Sequence, residues 1–267
     1  MVRHVRKVQM LYRYIAVIGF VAGAVVAAGA QAAKPRGAVP TVKDVLYSAA
    51  DSIGMLRTAA EVDRIATMNY WATGTVVADG KPCKVKEYKA SVNWLLKAMR
   101  VDYTCEGQSR RIEVVNGAAS WNETEPGVNP SPAAAMAAER QLMIWTLPAG
   151  VIKAATAAGG KAAASVDGGK TVLAFPLVEV PGASIRATYS QETYLLERVE
   201  ARLGSTTIDI SYAEHGDWNG DDYLSDVQFP KRITHKRGNA TVLDLSVTKT
   251  NTYNPYVVMP VPPGLKG

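Results

Sequence analysis

Four groups of residues in this 267-residue chain have types and spacings that bear on chemistry. Glu123 and Glu125 could share acid and base work, as paired carboxylates do in glycoside hydrolysis. They flank Thr124 and precede Pro126, in a stretch that reads as loop, where two solvated carboxylates are the default. Residues 164–171, ASVDGGKT, fit a relaxed phosphate-loop pattern, but such a loop needs a strand before it and a helix N-terminus after it to supply the anion site. Here an Ala/Gly-rich tract precedes and a strand-like run, 172–175, follows, so the match is one of letters only. Asp217, Asn219, Asp221 and Asp222 crowd together like a calcium loop. EF-hand spacing asks for Gly at 222 and Glu at 228, where the chain has Asp222 and Gln228, and a solvated turn around Asn219-Gly220 accounts for the same residues. His215 and His235 are too few for a zinc site, which takes three or four ligands at set spacings. There is no G-x-S-x-G elbow and no H-E-x-x-H helix. No catalytic residue, metal or cofactor is nominated, and the chain reads as a binding protein rather than an enzyme.

The chain has two cysteines. Cys105 shares parity with Met99, Val101 and Tyr103 and should face a core, whereas Cys83 follows Pro82 and is out of phase with Tyr88, Val92 and Trp94. Facing direction limits which pairs can be bridged, so a Cys83–Cys105 disulfide and two buried thiols both stay open. The remaining candidates are apolar. Trp94, Trp121, Met136, Leu142, Met143, Trp145 and Ile152 fall on sheet faces or in helical stretches; each alone suits ordinary packing, and together they suit an adaptable apolar binding surface.

The elements that must position them follow from periodicity. Thr41 with Asp44 three residues on resembles a capping box, and Val42, Val45, Leu46, Ala49, Ile53 and Leu56 recur at helical spacing, which predicts a helix over 41–58. From Ile65 the period becomes two: Tyr88, Ala90, Val92 and Trp94 alternate with Lys89, Ser91 and Asn93, one face buried and one wet. Asn116-Gly117 is a strong hairpin signal. Ser131-Pro132 suits a helix start, and a second short helix runs from Pro148 to Ala158, stopped by Gly159-Gly160. The tract 156–170, nearly all Ala, Gly, Ser and Lys, reads as a mobile connection. Strands then resume to the end. The fold class is mainly β (α+β): a curved antiparallel sheet or half-barrel of about ten strands, covered by an N-terminal helix and two short middle helices.

The amino end sets the compartment. Arg3, Arg6, Lys7 and Arg13 precede an uncharged run, 14–33, that ends in small residues, the layout of a signal peptide over 1–30. An uncleaved anchor is the alternative, since about 20 apolar residues can span a bilayer. Cleavage after Ala30 removes four positive charges and no negative one, so 30 basic and 24 acidic residues become 26 and 24. The mature chain is nearly neutral, which removes the case for a nucleic-acid partner that a pI near 9.2 would make. The expected product is periplasmic or secreted, with a flexible stretch at 31–40 and a single domain at 41–267.

Residues 112–126, IEVVNGAASWNETEP, resemble the LolA-like periplasmic lipoprotein carriers, in which a strand, a turn ending in Gly, and a strand with Trp then Pro follow in that order. Residues 97–103, KAMRVDY, resemble that family's strand start. Phe229-Pro230 and the closing residues 260–264, PVPPG, resemble its last hairpin and tail. The resemblance implies a half-barrel that shelters the acyl chains of a lipid or lipoprotein, with transient membrane contact, and a basic residue at the strand start that latches the lid. Lys97 and Arg100 are the two positions that match the latch. An envelope protein-protein interaction module of the same fold, without a ligand cavity, is the alternative.

Overall fold

The computed structural model describes residues 39–56, 63–218, 227–252 and 254–265. The signal-like segment and most of the stretch expected to be flexible lie outside these residues, as do Asn219, Asp221 and Asp222. The described residues belong to one compact unit, Val39–Gly267.

Helix α1, Val42–Ser52, begins with the capping box its sequence suggests: the Asp44 amide donates to Thr41 Oγ1 at 3.2 Å and the Thr41 amide to Asp44 Oδ2 at 3.1 Å. Two of the four orphan amide donors of the first turn are thereby satisfied. Val45, Ala49 and Ala50 bury the apolar stripe.

Among the described residues thirteen strands then form one antiparallel sheet, against the expected number of about ten, curved and unclosed. β1 (Thr67–Ala78), β2 (Lys81–Asn93), β3 (Ala98–Cys105), β4 (Arg110–Asn116), β5 (Ala119–Glu123) and β6 (Ser131–Pro132) meander to one edge. β7 (Ala163–Asp167) starts at the opposite edge, and β8 (Lys170–Pro176), β9 (Ala183–Tyr189), β10 (Leu196–Leu203), β11 (Thr206–Asp217) and β12 (Gln228–Arg237) meander back. β13 (Ala240–Asn251) closes the sheet against β1. The two edge strands are therefore neighbours in sequence, and the segment joining them has to cross a face of the sheet. That segment carries α2 (Ala137–Thr146), preceded by a single 3-10 turn, and α3 (Pro148–Ala158). The helices lie on the concave face, where Leu142, Ile144, Trp145, Val151 and Ile152 join the main core.

Bulges bend the sheet, since an unpaired extra residue kinks its strand and increases local twist. Register slips occur in β1 at Trp71/Ala72 and Ala72/Gly74, and in β2 at Val85/Glu87. Gly74 has φ +146°, and a Cβ there would sit 2.1 Å from the Asp244 carbonyl oxygen, so only glycine lets β13 pass this closely. The slip at Val85/Glu87 also resolves the cysteine phase. Lys86 is the extra residue, so Cys83 and Val85 return to the face that Tyr88, Ala90 and Val92 occupy. Cys83 and Cys105 are joined in a disulfide, with a Cα–Cα separation of 5.6 Å.

α2 and α3 meet at 100°. Leu147 is extended at the joint, and Pro148 opens α3 at a position where its missing amide costs nothing. Gly150 makes the joint possible: a Cβ there would lie 2.3 Å from the Ile144 carbonyl oxygen and 3.0 Å from Trp94 Nε1. Among the described residues no single helix is long and apolar enough to cross a membrane.

The tract 156–170, expected from its composition to be a connection, is built of regular elements. The segment holds the end of α3, a 3-10 turn at Gly159–Lys161 and a hairpin of β7 with β8 around Gly168-Gly169. Main-chain hydrogen bonds to β8 order it, so bulky side chains are not required. The same hairpin holds the ASVDGGKT motif, which no helix N-terminus follows.

The larger core lies between the concave face and the three helices. A second cluster of Ala98, Ile112, Val114, Trp121, Val257 and Met259 sits on the convex face, where the C-terminal tail covers β3 to β5. Asn93 Nδ2 and Asn116 Nδ2 hold that tail by donating to the carbonyls of Val257 and Met259, each at 2.8 Å.

Candidate functional site

Between the concave face and α2 lies a cleft of about 530 Å³. Alternation on the strands decides its walls. Tyr70, Tyr88, Met99, Val101, Tyr103 and Val115 point inward, while Ala98, Arg100, Asp102, Ile112 and Val114, one residue out of step, point to the convex side. Ile208, His235, Val242 and Leu243 form the opposite wall. The roof is α2, with Glu139, Arg140 and Met143 in the helix and Met136 and Leu147 as its flanking cap residues.

An aromatic row crosses the sheet beneath. Phe229, Tyr70, Tyr88 and Tyr103 have successive ring centroids 5.3, 5.9 and 6.3 Å apart, distances at which offset rings attract. Burial raises the Tyr70 hydroxyl pKa to about 12 and pushes Tyr88 well up as well. These phenols stay neutral and present apolar faces to the cleft.

The rim is charged and matched. Asp79 pairs with Arg111, Glu113 with Arg140 at 3.4 Å, and Glu139 with Arg237. The hydrogen bond from Arg111 holds the Asp79 carboxyl below its usual range. Burial, with Arg237 beside it, pulls His235 down to about 4, so it is uncharged at neutral pH.

Arg140 also fixes the roof. Its Nη1 donates to the carbonyls of Val114 at 3.3 Å and Trp121 at 2.8 Å and to Ser120 Oγ at 3.0 Å, and its Nη2 donates to Asn122 Oδ1 at 2.7 Å. One guanidinium fork thus ties the first turns of α2 to β4 and β5. Burial lowers its pKa without removing the charge. Gln141 adds a second tie, donating to the Lys97 carbonyl at 2.6 Å.

Of the residues singled out in the sequence, Met136 and Met143 line the cleft. Leu142, Trp145 and Ile152 are buried in the main core outside the lining, and Trp94 is buried beside the helix joint, its indole donating to the Ile144 carbonyl at 3.2 Å with Lys153 over the ring. Trp121 lies in the convex cluster under the tail. Lys97 sits at the β2–β3 turn with φ +50° and meets α2 through its carbonyl, not its amine. Arg100 points to the convex face and pairs there with Glu123 at 3.2 Å. The cleft's Tyr70, Tyr88, Tyr103, Arg140 and Arg237 were not singled out. Their signal was present for the tyrosines, which share the inward phase of β1 to β3, and absent for the arginines, whose partners are distant in sequence.

The expectation of solvated carboxylates at 123–125 is corrected for Glu123. It is 7% exposed, and its oxygens accept from Trp121 Nε1 at 2.7 Å and from the Gly127 amide at 2.9 Å in addition to the Arg100 pair. A carboxylate so fully occupied braces the β5 turn and has little capacity left for a substrate. Among the described residues no group of three His, Cys, Asp or Glu is placed to hold a metal.

Among solved structures, the chain is similar to a LolA superfamily protein from Nitrosomonas europaea, at 11% identity and TM-score 0.43, covering 80% of this chain and 94% of that one. It is also similar to an outer membrane lipoprotein-sorting protein domain from Vibrio parahaemolyticus, at 8% identity and TM-score 0.45, with the same shares covered. No protein-family model and no curated protein matches the chain.

Proposed function

We propose that the protein is an exported carrier that holds an acyl chain, of a lipid or a lipoprotein, in the cleft beneath α2. The observation that carries this reading is the cleft itself: about 530 Å³ with tyrosine, methionine and valine walls, within the range of small-ligand sites and left unfilled by the protein's own side chains. Burial of a chain there contributes about 0.8 kcal/mol per CH₂, which supports useful affinity without polar specificity. The helical roof is tied to the sheet by the Arg140 fork and Gln141, and at its carboxyl end by Trp94 and Tyr212, which donate to the carbonyls of Ile144 and Thr146. Export rests on the amino-terminal signal pattern, and a periplasmic carrier accords with the sequence motifs at 97–103 and 112–126.

The test is native mass spectrometry and lipid extraction of the mature protein, with titration of a fluorescent long-chain acyl ester. Val101→Trp, which fills the cleft from one wall, is expected to weaken ester binding at least tenfold while the melting temperature moves little. Protein that yields no lipid and takes up no ester refutes the reading, as does undiminished binding by the filled variant.

A further inference from the structure

The cleft is lined by three acids and two arginines, and each is matched to a partner of opposite sign: Asp79 with Arg111 beside the lining, Glu113 with Arg140, Glu139 with Arg237. His235, the other titratable group of the far wall, is neutral. Glu113 and Arg237 stand at the mouth, whereas Arg140 is 12% exposed and sits deeper under the roof. The side chains of Glu113 and Arg237 are 38% and 45% exposed, whereas Tyr70 and Tyr88 beneath them are buried. The arginines are also occupied, since the Arg140 guanidinium already serves two carbonyls, a hydroxyl and an amide oxygen.

An amphiphile entering tail first leaves its head at this rim. An anionic head would have to displace Glu139 or Glu113 from its arginine and leave a carboxylate without its counter-charge, and a cationic head would meet the converse. Resting on the carrier reading, we propose that the cleft selects amphiphiles with an electrically neutral head and discriminates against fatty-acid anions.

The experiment measures dissociation constants at pH 8 for monododecanoylglycerol, dodecanoate and dodecylammonium, which share one chain and differ in head charge. Wild type is expected to bind the glycerol ester about fivefold or more tighter than either ion, the scale of one partly exposed ion pair. Glu139→Gln frees Arg237 and is expected to shift the ratio toward dodecanoate by about fivefold; Arg237→Gln frees Glu139 and is expected to shift it by a similar factor toward dodecylammonium. A loosened roof would move all three ligands in one direction, so opposite shifts in the two variants report charge and not folding. Tightest binding of dodecanoate by wild type overturns the proposal, and so do ratios that stay fixed or move alike in both variants. If none of the three ligands binds wild type, the carrier reading fails and takes this proposal with it.

Discussion

Arg140→Met should loosen the amino-terminal half of the roof from β4 and β5 while keeping much of the side chain's apolar bulk. The guanidinium makes four donor contacts at 2.7 to 3.3 Å, and its side chain is 12% exposed. Hydrogen bonds to a charged group contribute about 1.5–3 kcal/mol each, but the four share one cation and water can reach some of the released acceptors. The short bonds to the Trp121 carbonyl and Asn122 set the scale, and desolvation of the ion offsets part of the gain. The expected loss is about 3 kcal/mol, or a fall of about 9 °C in melting temperature for a domain of this size. The assay is guanidinium denaturation, where the midpoint should fall with little change in slope. Arg140→Lys should recover less than half, because an ammonium cannot reproduce the planar fork. A loss below about 1 kcal/mol, or full rescue by lysine, would refute the view that this fork holds the helix down.

Two further outcomes are expected. His215 and His235 each have a folded pKa of about 4 against 6.5, burial being the larger cause in both. The unfolded chain therefore binds more protons between pH 6.5 and 4, so stability is full above pH 6.5 and declines as pH falls through that window. The upper bound is about 3 kcal/mol per histidine, and the contribution is smaller because both side chains are only half-buried. Denaturation midpoints that stay flat from pH 7 to 4.5 in both wild type and His235→Gln would sink this. The Cys83–Cys105 bridge closes a loop of sequence separation 22, so Cys83→Ser with Cys105→Ser should cost about 3 kcal/mol, chiefly through the freer unfolded chain; equal stability of the double mutant and the oxidised parent would contradict it.

The alternation of residues in strands exposed most of the architecture, but not which face of the sheet is which. Trp121 and Tyr103 both read as inward-pointing apolar residues. One lies under the tail on the convex side and the other in the cleft, because the sheet here is covered on both faces. Parity also fails across a bulge, which is why Cys83 looked out of phase until Lys86 was seen as the extra residue. The β7–β8 hairpin was hidden by composition, since short side chains on an edge strand carry no hydrophobic signal while their amides and carbonyls pair normally. α1 with its capping box and α3 with its proline start were legible because those signals are local. The Arg140 clamp was not, since its acceptors lie 18 to 26 residues away across a turn of the sheet.

The pairing of β1 with β13 makes the first strand and the last one the middle of the sheet. Each half can zip locally as it emerges, yet the seam between them waits for the final stretch of polypeptide. A chain delivered amino end first, or one cut short before residue 240, would be left with two unmatched backbone ladders facing solvent, the condition under which sheets recruit strangers. The arrival of β13 is thus the step that joins two sticky halves into one continuous sheet.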